Sequence, residues 1–414
     1  MTTSPTRPAS GPPRRGLRRR AAHALPALAV VFALLTTSGW AAVTEPRPAG
    51  ALAADVAAWG RGRIDGRPLP DPASPPDLLA AFFASLTSRE RRRLARSHPL
   101  AVGNMNGAPV RLRYYANRQA LAEALRGERA RPRDPRLGAE DRAEARRRLH
   151  RFASLVDGDR KVLAFDPEGR GRVAEVFGDL ERADRISVVV PGAGTDLLTF
   201  QRSALPRSAP VGMALALRRA QREARPEVRT AVIAWADYTA PEGLGVDAAT
   251  ASLAAAGAGR LSALVRALPG EAGVALFCHS YGSVVCGLAA RSLPGRVTDI
   301  VVAGSPGMRA ERASRLGSRA RIWAARSAGD WVGELPHVEL GGLGHGADPV
   351  SPAFGARVLS AAGAKGHTGY FAPGSESLGN FALIAAGDPS AVHCAREEDA
   401  CGTLPTGGSP VRGT

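Results

Sequence analysis

The run Val274-Ala275-Leu276-Phe277-Cys278-His279-Ser280-Tyr281-Gly282-Ser283 constrains this chain more than any other stretch. Its short apolar half reads as a buried strand, and the small-residue stretch Val284 to Arg291 that follows reads as a helix. A serine at the apex of a tight strand-to-helix turn is the layout of G-x-S-x-G, in which a strained turn lifts a hydroxyl into a cleft. Strand and helix pass close together there, so the residues two before and two after the serine must be small. Gly282 meets the second requirement. At the first, Cys278 stands where glycine is usual.

From Lys161 onward, short apolar runs alternate with helical patterns. The strand candidates are Val162–Phe165, Arg172–Phe177, Ile186–Val190, Thr230–Trp235, Val274–Phe277, Asp299–Ala303 and Arg321–Ala325, with Phe354–Leu359 a candidate last strand. Pro210 to Arg222, Ala248 to Leu268 and Glu376 to Ala386 read as helices. Near-continuous apolar strands alternating with helices predict an α/β fold whose mostly parallel sheet is covered on both faces. The first two runs, joined by Asp166-Pro167-Glu168-Gly169, predict an antiparallel opening hairpin. Asp77 to Ser154 is helical in pattern, with an apolar stripe at Leu78, Leu79, Phe82, Phe83 and Leu86 and a capping box at Thr87 to Glu90. Helices are expected from Arg118 to Leu125 and from Ala139 to Leu155, with His98 to Pro109 a turn-rich loop that either connects helices or shapes a pocket.

A serine in such a turn needs a base, and the base needs an orienting acid. In hydrolases built this way the chain order is serine, acid, histidine. Asp330 follows the strand Arg321–Ala325, at the sheet edge where catalytic groups gather, and is the preferred acid, with a helix N-cap its alternative role; Asp348 is its rival. Among the late histidines His337, His345, His367 and His393, His367 lies in a loop before the last helix and is the preferred base, with His345 second. His279 adjoins the serine and points away from its hydroxyl, which makes it a packing or hydrogen-bonding residue. Acyl chemistry also needs donors for a developing oxyanion. The backbone N–H of Tyr281 is one, and that of Ala193, in Pro191-Gly192-Ala193-Gly194-Thr195, is the other. That glycine turn lacks the third glycine of a dinucleotide fingerprint and the lysine of a P-loop. No zinc-type spacing appears, so neither cofactor nor metal is expected.

The chain has 414 residues and a formal charge of +17. Residues 1–41 hold six arginines and no acid, so the remainder carries +11. The only lysines are Lys161 and Lys365, and the basic charge is spread along the chain. With no interleaved aromatics and no known module, specific nucleic-acid binding is not expected. Arg14 to Arg20, the apolar Leu25 to Leu35 and Gly39-Trp40-Ala41 describe a signal peptide, with Ala51-Leu52-Ala53 a second cleavage motif and an uncleaved anchor the competing reading. Cys394 and Cys401 in a polar tail suit a disulfide in an oxidising compartment, whereas Cys278 and Cys286 read as small core residues. The expected organisation is 1–41 signal peptide or anchor, 42–76 flexible linker, 77–155 helical region, 156–390 sheet domain and 391–414 tail.

The sequence resembles an actinobacterial branch of the alpha/beta hydrolase superfamily whose serine turn reads Gly-His-Ser-Tyr-Gly-Ser. Here Cys278-His279-Ser280-Tyr281-Gly282-Ser283 replaces the first glycine. The resemblance runs through Gly103-Asn104-Met105-Asn106-Gly107 with Arg113 and Ala116-Asn117, and through Val190-Pro191-Gly192-Ala193-Gly194-Thr195. It continues in Gly304-Ser305-Pro306-Gly307, Gly344-His345-Gly346-Ala347-Asp348-Pro349 and Gly366-His367-Thr368-Gly369-Tyr370, across roughly residues 78–388. It implies a serine hydrolase fold and little about substrate. The expectation is an exported enzyme acting on a small-molecule or lipid-like acyl bond, in association with the membrane or cell envelope. A non-catalytic envelope-binding protein and an acyltransferase are the rival readings.

Overall fold

The computed structural model describes residues 50–202, 205–395 and 401. Eight strands form the central sheet: β1 Lys161–Asp166, β2 Arg172–Phe177, β3 Arg185–Val190, β4 Thr230–Ala236, β5 Gly273–His279, β6 Val297–Ala303, β7 Arg321–Ala325 and β8 Arg357–Leu359. Their order across the sheet is β8-β7-β6-β5-β3-β4-β2-β1. β2 pairs antiparallel with β1 and with β4, and every other neighbouring pair is parallel. The chain reverses direction across the sheet between β3 and β5, so the loops after those two adjacent strands meet at one edge. That crevice is where ligands collect in open parallel sheets.

Period-two alternation sorts the strand residues between two cores. Ile186, Val188, Val190, Val274, Leu276 and Cys278 face one side, with Leu261, Val265, Val284 and Val285 of the covering helices. Val189, Ala275 and Phe277 face the other, with Met213, Leu217, Phe381 and Ile384. The covering helices are α7 Pro210–Ala224, α9 Ser252–Arg266, α10 Gly282–Ala289 and α11 Glu376–Ala386, with a single turn α8 at Val246–Ala249. Both faces are apolar and covered, which explains the unbroken hydrophobic strands. The α/β expectation holds, including the opening hairpin.

Among the described residues, six helices precede the sheet: α1 Ala51–Gly60, α2 Pro76–Ser85, α3 Ser88–Ser97, α4 Pro99–Asn104, α5 Val110–Glu128 and α6 Ala139–Val156. They carry a third core of Trp59, Phe83, Leu94, Met105 and Ala116. Thr87 and Glu90 form the expected capping box.

Three expectations need correction here. The described part of 42–76 is built rather than linker-like: α1 is followed by a small ladder of Arg63–Ile64 with Arg67–Pro68. Alanine favours helix there, and the buried Trp59 anchors it by donating Nε1–H to the Pro70 carbonyl at 2.7 Å. The loop expected at His98 to Pro109 contains α4, and α5 begins at Val110 rather than Arg118. Asn104 Nδ2 donates to the carbonyls of Leu100 and Phe165, and Asn117 Nδ2 donates to those of Gly103 and Val162. This segment is therefore a polar strap from helices to β1. A Cβ on Gly103 would lie 2.0 Å from Asn117 Oδ1, so the glycine lets the strap close. Finally, Cys278 and Cys286 are core residues, but they are joined in a disulfide; Cys394 and Cys401 form the expected one. Apolar surroundings hid the first pair, because such cysteines also read as plain core residues and only the fold of α10 back over β5 brings the two sulfurs together.

The expected signal at 1–41 lies outside the described residues. Among the described residues no helix is long and apolar enough to cross a membrane, and no cluster of His, Cys, Asp and Glu could hold a metal ion.

Candidate active site

Ser280 follows β5 directly and has φ 54°, in the left-handed region that a serine rarely adopts. Its N–H donates to the Ala303 carbonyl at the end of β6, at 2.9 Å. α10 then starts at Gly282, pressed on the end of β3: a Cβ there would lie 2.4 Å from the Val190 carbonyl oxygen. Such a close, strained turn needs glycine at 282, as the motif reading requires.

The glycine turn after β3 packs on the serine. A Cβ on Gly192 would lie 2.5 Å from Ser280 Cβ and 2.9 Å from Ser280 Oγ. Ala193 sits between this contact and Gly194, whose φ is 70°. The turn is tied back by Tyr238, whose hydroxyl donates to the Pro191 carbonyl at 2.6 Å, and by the Gly194 N–H, which donates to Pro241 at 2.7 Å. The Tyr281 side chain points elsewhere: its hydroxyl donates to the Thr250 carbonyl and accepts from the Ala254 N–H.

Asp330 and His367 meet. Asp330 follows β7, is almost fully buried, and accepts from His367 Nδ1–H at 2.9 Å through Oδ1. The Val332 N–H donates to the same oxygen at 3.0 Å, and the Tyr370 hydroxyl donates to Oδ2. Burial pushes this carboxyl up, but the three hydrogen bonds outweigh it and hold it at about 2. Gly304, which follows β6 with φ 56°, leaves room for the pair: a Cβ there would lie 2.7 Å from Asp330 Oδ2 and 3.0 Å from His367 Nδ1. Since Ala303 receives the Ser280 N–H, Gly304 brings the His367 ring beside the serine turn.

His279 ties the two loops together. Its Nε2–H donates to the His367 carbonyl at 2.6 Å, and the two rings lie 4.7 Å apart. Burial first, then the neighbouring His367 charge, lowers its pKa to about 4, so it is neutral and a donor near pH 7.

The rival residues lie elsewhere. His345 Nε2–H donates to the Ala248 carbonyl at 2.7 Å, and burial lowers its pKa. Asp348 accepts both Nη groups of Arg326, at 2.7 and 2.6 Å. His337 is 3.9 Å from Asp348.

The chain order singled out Asp330 and His367, but not the groups that hold them. Tyr370 stands in the run Gly366-His367-Thr368-Gly369-Tyr370, where an aromatic hydroxyl three residues after the histidine is the only sign in sequence of its part in holding Asp330.

Residues 166–340 match a family described as alpha/beta hydrolase. The chain is 28% identical over 382 residues to an uncharacterized protein of Mycobacterium tuberculosis, covering 78% of this chain and 57% of that protein. A second relative, an uncharacterized protein of Mycobacterium bovis, is 33% identical over 164 residues, covering 38% of this chain and 57% of that one. The chain thus spans a little over half the length of the curated relatives it matches. A solved 2,6-dihydroxy-pseudo-oxynicotine hydrolase aligns at a TM-score of 0.28 with 11% identity, over 67% of this chain and 78% of that one. The eight-stranded sheet, its strand order and the family match together identify the fold as that of an alpha/beta hydrolase.

Proposed function

We propose that the chain is an exported serine hydrolase that cleaves an ester or related acyl bond. Ser280 Oγ attacks the acyl carbon while His367 Nε2 takes its proton. The N–H groups of Tyr281 and Ala193 receive the charge that develops on the carbonyl oxygen. The leaving alkoxide departs with the proton from His367, and water, activated by the same imidazole, releases the acid and restores the serine. Asp330 holds the tautomer with the proton on Nδ1 and stabilises the imidazolium between the steps.

The observation that carries this reading is the 2.9 Å contact of His367 Nδ1 with a buried carboxylate held ionised, beside a serine at φ 54°. Two further features favour the finer points. Trp331, whose ring lies 5.0 Å from His367, is exposed, as are Leu335, Val338 and Leu340 on the same loop. Leu244 and Val246 are exposed on the loop that His345 holds through Ala248. Exposed apolar side chains beside His367, and on the segment that Tyr281 and His345 tie down, suit an apolar acyl group. All four cysteines are in disulfides, which suits an oxidising compartment and hence export.

The test is labelling by a fluorophosphonate. Wild type should react and Ser280→Ala should not. His367→Gln should lose at least about 100-fold in rate, while His345→Gln should keep it. A folded wild type that stays unlabelled would leave a binding protein on a hydrolase scaffold as the reading.

A further inference from the structure

The residue that departs from the serine-turn motif is also half of a disulfide. Cys278 ends the apolar run of β5 two residues before Ser280, and Cys286 lies just over one turn into α10. The bond therefore closes a short loop that contains His279, Ser280, Tyr281 and Gly282. Alternation in β5 sends Cys278 to the face under α10 and His279 to the face of the His367 loop. The turn is thus held on both sides, by a covalent bond to its own helix and by a hydrogen bond to the loop of the base. A third contact, from Ser283 Oγ–H to the Cys278 carbonyl at 3.2 Å, closes the same corner.

A serine with positive φ stays there only if its surroundings over-determine it. In the glycine form of the motif, close packing of strand and helix must do this alone. Here a covalent link shares the task.

We propose that the Cys278–Cys286 disulfide is a positioning element of the serine turn, and that the chain reaches full reactivity only when it folds under oxidising conditions. This rests on the reading of Ser280 as the nucleophile. Cys278 and Cys286 are 1% and 0% exposed, so a reductant in solution does not reach the bond in the folded protein. The dependence is set at folding and is not a reversible switch. The bond forms by thiol–disulfide exchange with a disulfide oxidant of the exported compartment. One thiolate attacks the oxidant to give a mixed disulfide, and the second displaces the oxidant's remaining thiol. Two cysteine protons and two electrons leave, and the oxidant is reduced to two thiols.

The experiment compares fluorophosphonate labelling rates with thermal melts for wild type, Cys278→Ala/Cys286→Ala, Cys278→Ala/Cys286→Val and Cys394→Ala/Cys401→Ala. The valine restores part of the volume lost with the sulfurs. Both serine-turn variants should melt cooperatively above the assay temperature yet label roughly 10-fold or more slowly, because small displacements of a reacting group are costly. The tail variant loses a disulfide too and should label at the wild-type rate. Serine-turn variants that label within about twofold of wild type would reduce the bond to a stabiliser and overturn the proposal. If neither variant folds, wild type refolded and assayed in reductant gives the same comparison. Failure of that form to fold would also overturn it, in favour of a requirement for folding. A wild type that never labels, or a Ser280→Ala that does, would sink the nucleophile reading instead, and the two failures are distinct.

Discussion

His279 offers the sharpest quantitative test, because its titration is coupled to burial. It is 5% exposed, and its Nε2–H is committed to the His367 carbonyl at 2.6 Å. Burial, and then the charge on His367, lowers its pKa from 6.5 to about 4, against a smaller opposing pull from the carbonyl and Asp330. The unfolded chain therefore takes up a proton at this residue between pH 6.5 and 4 while the native protein does not. The associated stability is fully present above about 6.5, is lost as pH falls toward 4, and stays lost below. At 1.36 kcal/mol per pKa unit the full loss is about 3 kcal/mol, most of it spent by pH 4.5. In His279→Gln the side-chain Nε2–H can take over the donor role without a titrating group. Urea unfolding followed by tryptophan fluorescence at pH 7.5, 6.5, 5.5 and 4.5 gives the stability difference between wild type and variant, in which all other titrations cancel. Wild type should lose about 2–3 kcal/mol more than the variant across that range. A difference that stays constant within about 0.5 kcal/mol would refute the argument, since it would mean that His279 is hydrated and titrates normally.

Two further substitutions probe the neighbours of the serine and the acid. Tyr370→Phe removes the donor to Asp330 Oδ2 and the acceptor of the Ser327 N–H, which is bound at 3.0 Å. It should cost about 2 kcal/mol in urea unfolding and lower kcat about 10-fold with KM unchanged. Because it deletes one of three contacts that depress Asp330, the loss of stability on acidification, which in wild type begins near 3.8 and ends near 2, should still begin there but end at a higher pH and be smaller. Gly192→Ala puts a methyl 2.5 Å from Ser280 Cβ. It should cut the labelling rate by about 100-fold or more while the melting temperature falls by only a few degrees; labelling near the wild-type rate would mean the glycine turn is free to retreat.

The sheet was legible because burial on both faces forces long apolar runs, and all seven strand candidates and the short last strand correspond to observed strands. What escaped was set by contacts distant in sequence. Ala51–Gly60 carries no helix cap hydrogen bond from a side chain, and its anchors lie further along the chain: Trp59 packs on Phe83, and Asp55 accepts from the Ala101 N–H and meets His98. The Gly103 strap looked like a loop because its Asn104 and Asn117 bond to the backbone of β1, which no local pattern reveals. At the candidate site the chain order supplied the candidate acid and histidine, since Asp330 falls just after a recognisable strand and His367 just before a recognisable helix. The Val332 N–H caps Asp330 from its own loop, whereas Tyr370 and Gly304 belong to two other loops that only the fold brings in. Cys278 was read correctly as buried, but its bond to Cys286 depends on α10 folding back over β5.

The two candidate acids show why geometry decides where sequence offers a choice. Both Asp330 and Asp348 follow the proposed nucleophile Ser280 in the chain, both are largely buried, and both have lowered pKa values despite burial pushing them up. Their partners differ in kind. Asp348 is neutralised by the guanidinium of Arg326, which occupies both of its oxygens. A carboxylate already paired with a permanent cation has little left to offer an imidazolium that appears only during turnover. Asp330 is held by neutral donors, the Val332 N–H and the Tyr370 hydroxyl, and by His367 itself. Its negative charge is kept without being cancelled, in a pocket with little water to screen it. That is the electrostatic condition for an orienting acid, because the interaction it makes with His367 strengthens when the ring gains its proton. The same logic sets His345 aside: its Nε2–H is committed to Ala248, and no carboxylate holds its ring. The pairing of a histidine with an uncancelled, buried carboxylate beside a strained serine is thus what distinguishes the proposed site from the other histidines and acids of the carboxyl-terminal third.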